Sequence, residues 1–143
     1  MSEQKTFRIV IMEDDEFFND VLTHKLEQYT AILGIEKNCN FEIHSYTSAK
    51  DCLRNLKNNI DVAFVDYYLG NGITGYDIVK KIKEKCWDCK IVILSQVRNI
   101  KTTSLSLNEG AIDFILKDTN VLPKTCLILD DIVSSIQNPP SLN

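Results

Sequence analysis

Carboxylates dominate the chemistry open to this sequence. Glu13-Asp14-Asp15-Glu16 follow one apolar run, Ile9-Val-Ile-Met12, and Asp66 follows another, Val62-Ala-Phe-Val65. Clustered carboxylates withdrawn from water either take up protons or bind a hard cation, and an all-oxygen ligand set suits Mg²⁺ rather than zinc. Mg²⁺ keeps several of its waters, so one or two direct carboxylates suffice. Two further apolar runs lead to Ser95 and Lys117, a hydroxyl and an ammonium for the same rim. An in-line nucleophile, a metal and donors that neutralise charge on equatorial oxygens are what a transferring phosphoryl group needs. In that chemistry Asp66 is the expected nucleophile. Taken singly, Ser95 is a strand-end hydroxyl and Lys117 a solvated lysine; their joint placement gives them a role. Asp15 and Glu16 read instead as helix-capping residues, whose negative charge meets the positive end of a helix.

These side chains converge only if the elements behind them do. The runs Ile9–Met12, Val62–Val65, Ile91–Leu94 and Phe114–Leu116 are too short for helices and rich in branched or aromatic residues, as fully buried parallel strands are. Phe41-Glu-Ile-His-Ser-Tyr46 alternates apolar and polar residues, which suits a strand near the sheet edge. Helical spacing joins Phe18, Leu22, Leu26, Tyr29 and Leu33, then Ala49, Cys52, Leu53 and Leu56 after a start signal at Ser48-x-x-Asp51, then Ile78, Val79 and Ile82. Asn99 to Asn108 is weakly patterned, with Ile100, Leu105 and Leu107 its only large apolar residues; it reads as a helix that moves easily. The last helix has Pro123 in its first turn, repeats Leu129, Ile132, Val133 and Ile136, and is closed by Pro139-Pro140. Five βα units predict an α/β fold: a flavodoxin-like (βα)5 doubly wound parallel sheet of order 2-1-3-4-5 with right-handed crossovers. Its ligand crevice lies at the carboxyl ends of strands one and three, where Glu13, Asp14 and Asp66 stand.

Composition narrows the function classes. A chain of 143 residues with 44% hydrophobic and 25% charged residues fits one domain over 1–143, with 138–143 a flexible tail. A net charge of −4 provides no overall basic field for nucleic acid or an anionic membrane. The polar stretch Met1 to Thr6 and the lack of any 18-residue apolar run argue for a soluble, cytoplasmic protein. Five cysteines (Cys39, Cys52, Cys86, Cys89 and Cys126) are an odd number, expected as reduced thiols. Cys86 and Cys89 form a C-x-x-C pair without the second ligand pair of a structural zinc site, and read as packing residues.

The blocks Ile9-Val-Ile-Met-Glu-Asp14, Val62-Ala-Phe-Val-Asp66, Ile91-Val-Ile-Leu-Ser95 and Gly110-Ala-Ile-Asp-Phe-Ile-Leu-Lys117 resemble the four signature blocks of response-regulator receiver domains, the match running from Phe7 to Ile136. The resemblance implies that Asp66 is phosphorylated and that Mg²⁺ is held by Glu13, Asp14, Asp66 and the main-chain carbonyl of Tyr68. It also implies that Ser95 and Lys117 contact the phosphoryl group, and that Ser95 and Phe114 form the switch, Phe114 lacking the hydroxyl of the commoner Tyr. The implied donor is a histidine kinase or histidine phosphotransfer protein. With no output domain expected after Asn143, the signal leaves through a downstream protein partner or onward phosphotransfer; the oligomeric state stays open, a homodimer included.

Three departures from the family stand out. Asp66-Tyr-Tyr-Leu-Gly-Asn-Gly-Ile-Thr-Gly75 lacks the usual Pro and has one residue more, so an unusual loop is expected. Lys117-Asp118 replaces Lys-Pro, and a trans bond is expected because cis costs about 2.5–4 kcal/mol before a non-proline residue. Gln96 replaces a small residue and narrows access to Asp66. Two rival readings are a Mg²⁺-dependent phosphatase with an aspartyl-phosphate intermediate and a receiver-like module that takes no phosphate. Against the first, Tyr68 stands where haloacid-dehalogenase-type phosphatases carry a second Asp.

Overall fold

The four apolar runs and the alternating segment all form strands. The computed structural model describes residues 4–70, 72–97 and 100–140. Along the chain lie β1 (Thr6–Met12), α1 (Glu16–Lys37), β2 (Asn40–Tyr46), α2 (Ala49–Arg54), β3 (Val62–Asp66), α3 (Gly75–Lys85), β4 (Lys90–Ser95), α4 (Ile100–Asn108), β5 (Ala111–Leu116) and α5 (Val121–Gln137). The strands make one sheet of order β2-β1-β3-β4-β5. Every neighbouring pair is parallel. The flavodoxin-like (βα)5 arrangement is therefore present as expected.

Burial follows sheet position. Every residue of central β3 is buried, whereas β2 at the edge alternates between half-buried and exposed. One face of the sheet presents Val10, Met12, Val65 and Ile93 to Ile78, Val79 and Ile82 of α3. The other presents Ile9, Ile11, Phe64 and Leu94 to Leu22 and Leu26 of α1 and Leu129 and Val133 of α5. Two cores back to back fix β1 and β3, and hence the crevice at their carboxyl ends.

The helices start where local chemistry directs. Asp15 caps α1, its side chain accepting from the Phe18 N–H, and Glu16 follows in the first turn. Ser48 caps α2 by accepting from the Asp51 N–H. Helix α2 is shorter than its apolar spacing suggests, however: it ends at Arg54, and Leu56 reaches the core from the following turn. Asn55 closes it, donating from its backbone to Asp51 and Cys52 and from its side chain to Asp51. Helix α5 ends at Gln137, before the two prolines; residues 141–143 of the expected tail lie outside the described residues.

The weakly patterned segment is helical from Ile100, but Asn99 and the side chains of Ile100 and Leu105 lie outside the described residues. Leu107 is exposed there, and the Thr103 hydroxyl is the one buried side-chain polar atom without a partner among the described residues. The five cysteines are buried free thiols, and burial pushes those of Cys86 and Cys89 up. No helix among the described residues is long and apolar enough to cross a membrane.

Candidate functional site

Strand ends place the acidic residues. Glu13 follows β1, and its backbone N–H donates to the Tyr46 carbonyl at 3.0 Å, tying it to the end of β2. The Asn19 amide on the first turns of α1 donates to the Glu13 and Tyr46 carbonyls, both at 3.0 Å, and locks that junction. Asp66 is the last residue of β3, and Tyr67 after it donates to the Leu94 carbonyl at 2.9 Å. Glu13 and Asp66 are buried while Asp14 is exposed; their carboxylate oxygens lie within 4.8 Å of one another. Together with Asp15, Tyr68, Gln96 and Lys117 they line a cavity of about 300 Å³.

Lys117, one residue past β5, reaches across the rim. Its ammonium pairs with Glu13 and lies 3.1 Å from Asp66. It also sits 4.7 Å from the centre of the Phe18 ring, a cation–π contact that the sequence did not reveal. One ammonium does not balance these carboxylates. Desolvation, and then the Glu13 carboxylate beside it, raise the Asp66 pKa above its ordinary 3.8 to about 8, although Lys117 pulls it down. A divalent cation would relieve this repulsion, and the all-oxygen donor set fits Mg²⁺.

Ser95 is placed at the end of β4, where its hydroxyl is buried. Its hydroxyl donates to the Val97 carbonyl at 2.9 Å and accepts from the Val97 N–H at 3.2 Å. Phe114 is buried on β5 beside the Tyr67 ring, with centroids 6.4 Å apart. The Lys117–Asp118 bond is trans. Gln96 does line the cavity, as its position suggests.

The long loop after Asp66 folds into a small hairpin. Tyr68 bridges Thr74, and the Ile73 N–H donates to the Gly70 carbonyl at 3.0 Å, with Gly70 and Gly72 both at positive φ. Asn71 lies outside the described residues. Thr74 then caps α3 in a reciprocal capping box with Asp77. Gly75 passes so close to the end of β3 that an added Cβ would meet the Tyr67 Cα at 2.8 Å and the Asp66 carbonyl at 2.9 Å.

The chain matches the response regulator receiver domain family over residues 9–123. It belongs to that family. Among curated relatives, the two-component response regulator ORR11 of Oryza sativa is 34% identical over 90 residues, covering 60% of this chain and 60% of the relative. The response regulator SaeR of Staphylococcus epidermidis is 31% identical over 77 residues, covering 54% of this chain and 33% of the relative. The chain thus spans less than two thirds of either. A receiver domain from Clostridium thermocellum shares the fold with a TM-score of 0.74 at 19% identity, over 92% of this chain and 97% of that one. The BeF3-activated DrrB receiver domain does so with a TM-score of 0.73 at 18% identity, over 90% and 98%. In this receiver domain the residues named from the sequence fall into two groups. Glu13, Asp14, Asp66, Tyr68 and Lys117 line one cavity, whereas Ser95 and Phe114 are engaged elsewhere.

Proposed function

We propose that this receiver domain is a phosphoacceptor switch in a two-component relay, taking a phosphoryl group onto Asp66 from the phosphohistidine of a histidine kinase or histidine phosphotransfer protein. The observation that carries the reading is Asp66 at the end of β3 with Lys117 3.1 Å away and the Glu13 and Asp14 carboxylates beside it. An Asp66 carboxylate oxygen attacks phosphorus in line. The phosphorus–nitrogen bond breaks as the new phosphorus–oxygen bond forms, its electron pair staying on the ring nitrogen, and the imidazole leaves neutral because its other nitrogen already carries a proton.

Asp14, Asp66 and the Tyr68 carbonyl would hold Mg²⁺, with Glu13 supporting it. The ion would supply positive charge to the phosphoryl oxygens. Lys117, now neutralising Glu13 and Asp66, then turns to the phosphoryl group. The Ser95 hydroxyl exchanges its Val97 partners for a phosphoryl oxygen, which shifts the start of α4. Phe114 repacks into the space that opens beside β5. The chain acts once per phosphoryl group and is not a turnover enzyme; it works in the cytoplasm and passes its state to a downstream protein.

Incubation with Mg²⁺ and acetyl phosphate, followed by intact mass measurement, tests this. One added phosphoryl group supports the switch. Steady donor hydrolysis without a labelled protein would favour a phosphatase, and no reaction at all would favour a module that takes no phosphate.

A further inference from the structure

The two edges of the sheet are finished differently. At β5 the pairing with β4 slips between Ile91 and Val92, and Asp113 stands on the edge strand; a bulge and a charge are the usual guards against edge-to-edge pairing. At β2 the pairing with β1 runs without interruption from Thr6↔Asn40 to Met12↔Tyr46, and Asn40–Tyr46 contains no Pro or Lys, its one acidic side chain, Glu42, being paired with Arg8 of β1. The outer side of β2 pairs with no strand among the described residues. Asn40 donates to Lys5 and Tyr46 accepts from Glu13, so the even-numbered residues turn their backbone groups to β1. The N–H and C=O groups of Phe41, Ile43 and Ser45 consequently point outward along the open edge.

We infer that this edge is a dimer interface, at which β2 of a second copy of the chain pairs antiparallel about a two-fold axis through Ile43. That register sets Ile43 opposite Ile43 of the partner subunit and Phe41 opposite Ser45 of the partner subunit, and all the outward backbone groups find partners. It also sets Glu42 opposite His44 of the partner subunit, and the two-fold repeats the pair. A shift of one step to centre on Glu42 would oppose like charges, so side-chain complementarity selects the Ile43 register. Glu42 and His44 are both half exposed and 3.9 Å apart within one chain, and Glu42 also pairs with the Arg8 guanidinium at 3.1 Å; in the dimer the Glu42–His44 contact is exchanged for the cross-strand one while Arg8 keeps the other Glu42 oxygen. Beside the strand a groove of about 670 Å³ is lined by Ala31, Gly34 and Ile35 of α1 with Phe41 and Ile43 of β2, and Ile35 is 85% exposed. A perpendicular two-fold puts both α1 helices on the same face of the joined sheet, where each covers the other's groove. The inference is independent of the phosphoryl chemistry.

Sedimentation of the full chain over a concentration series at constant pH near neutrality tests it, together with amide exchange. The expected result is a dimer forming by about 100 μM. Amides of Phe41, Ile43 and Ser45 should gain protection as concentration rises, while Asn40 is protected throughout. His44→Glu should weaken the dimer about tenfold or more by opposing acidic side chains. Adding Glu42→Lys to that variant should restore dimerisation, a rescue that an unfolded variant would not show. A wild-type chain that stays monomeric over the series would overturn the inference. So would a dimer indifferent to both substitutions, or one in which the β2 amides gain protection only from an added extended peptide.

Discussion

At the scale of residues, the behaviour of the site is set by several carboxylates sharing one ammonium. Because burial and Glu13 raise the Asp66 pKa, the folded chain binds its proton more tightly than the unfolded chain does. Between the ordinary carboxylate value and the raised one, near 8, the folded state carries more protons, so this group makes stability fall as pH rises. In EDTA, Asp66→Asn should therefore flatten the decline in melting temperature between acid and neutral pH. A variant with the wild-type pH profile would show that Asp66 is not the strained group. Mg²⁺ binding should fall by at least about tenfold in Asp14→Asn and by less in Glu13→Gln, because the proposed site gives Asp14 the direct bond to the ion. Calorimetric titration reads both, and unchanged binding by the double variant would refute the assignment. The carboxylates were legible because each follows an apolar run. Their link to Phe18 and Asn19 was not, since nothing in the spacing of a helix tells which of its first-turn residues folds back over a strand end.

At the scale of elements, strands read more clearly than helix ends. Buried parallel strands announce themselves as unbroken apolar runs, and β2 announces its edge position by alternation. The end of α2 was overshot because Leu56 keeps helical spacing while Asn55 has already closed the helix with its side chain. The capping box of α3 and the crowding at Gly75 also escaped the sequence reading, the latter because it arises between segments brought together by the sheet. Gly75→Ala must push its Cβ against the backbone of Asp66 and Tyr67. It should destabilise the domain by about 1–3 kcal/mol, read by urea denaturation, and slow labelling at Asp66 as well. A neutral Gly75→Ala would mean that α3 can slide away from β3 without cost. In helix α4 the weak pattern goes with an exposed Leu107 and an unpartnered Thr103 hydroxyl.

At the scale of the whole molecule, the proposed function requires that charge placed at the crevice alter a distant surface. The proposed route runs from Ser95 through α4 to the Phe114 ring, which lies buried beside Tyr67. Phe114→Ala would open a large cavity, costing about 3–5 kcal/mol, so Phe114→Leu is the gentler companion. Both should be phosphorylated normally when folded, yet show altered partner binding or oligomerisation on phosphorylation. Binding unchanged from wild type in both phosphorylation states would make Phe114 ordinary core. The fold and the acidic site were readable because strand order and strand ends follow from alternating βα units. The resting orientation of Ser95 was not, because a hydroxyl with a backbone partner two residues away has no signature in residue type. The proposed function depends on Asp66 being the residue that takes the phosphoryl group. The most direct measurement is to label the full chain with acetyl phosphate and Mg²⁺, trap the acyl phosphate by borohydride reduction, and locate the reduced residue by peptide fragmentation. The account predicts reduction at Asp66 alone; reduction at Asp14 or any other carboxylate, with Asp66 untouched, would contradict it.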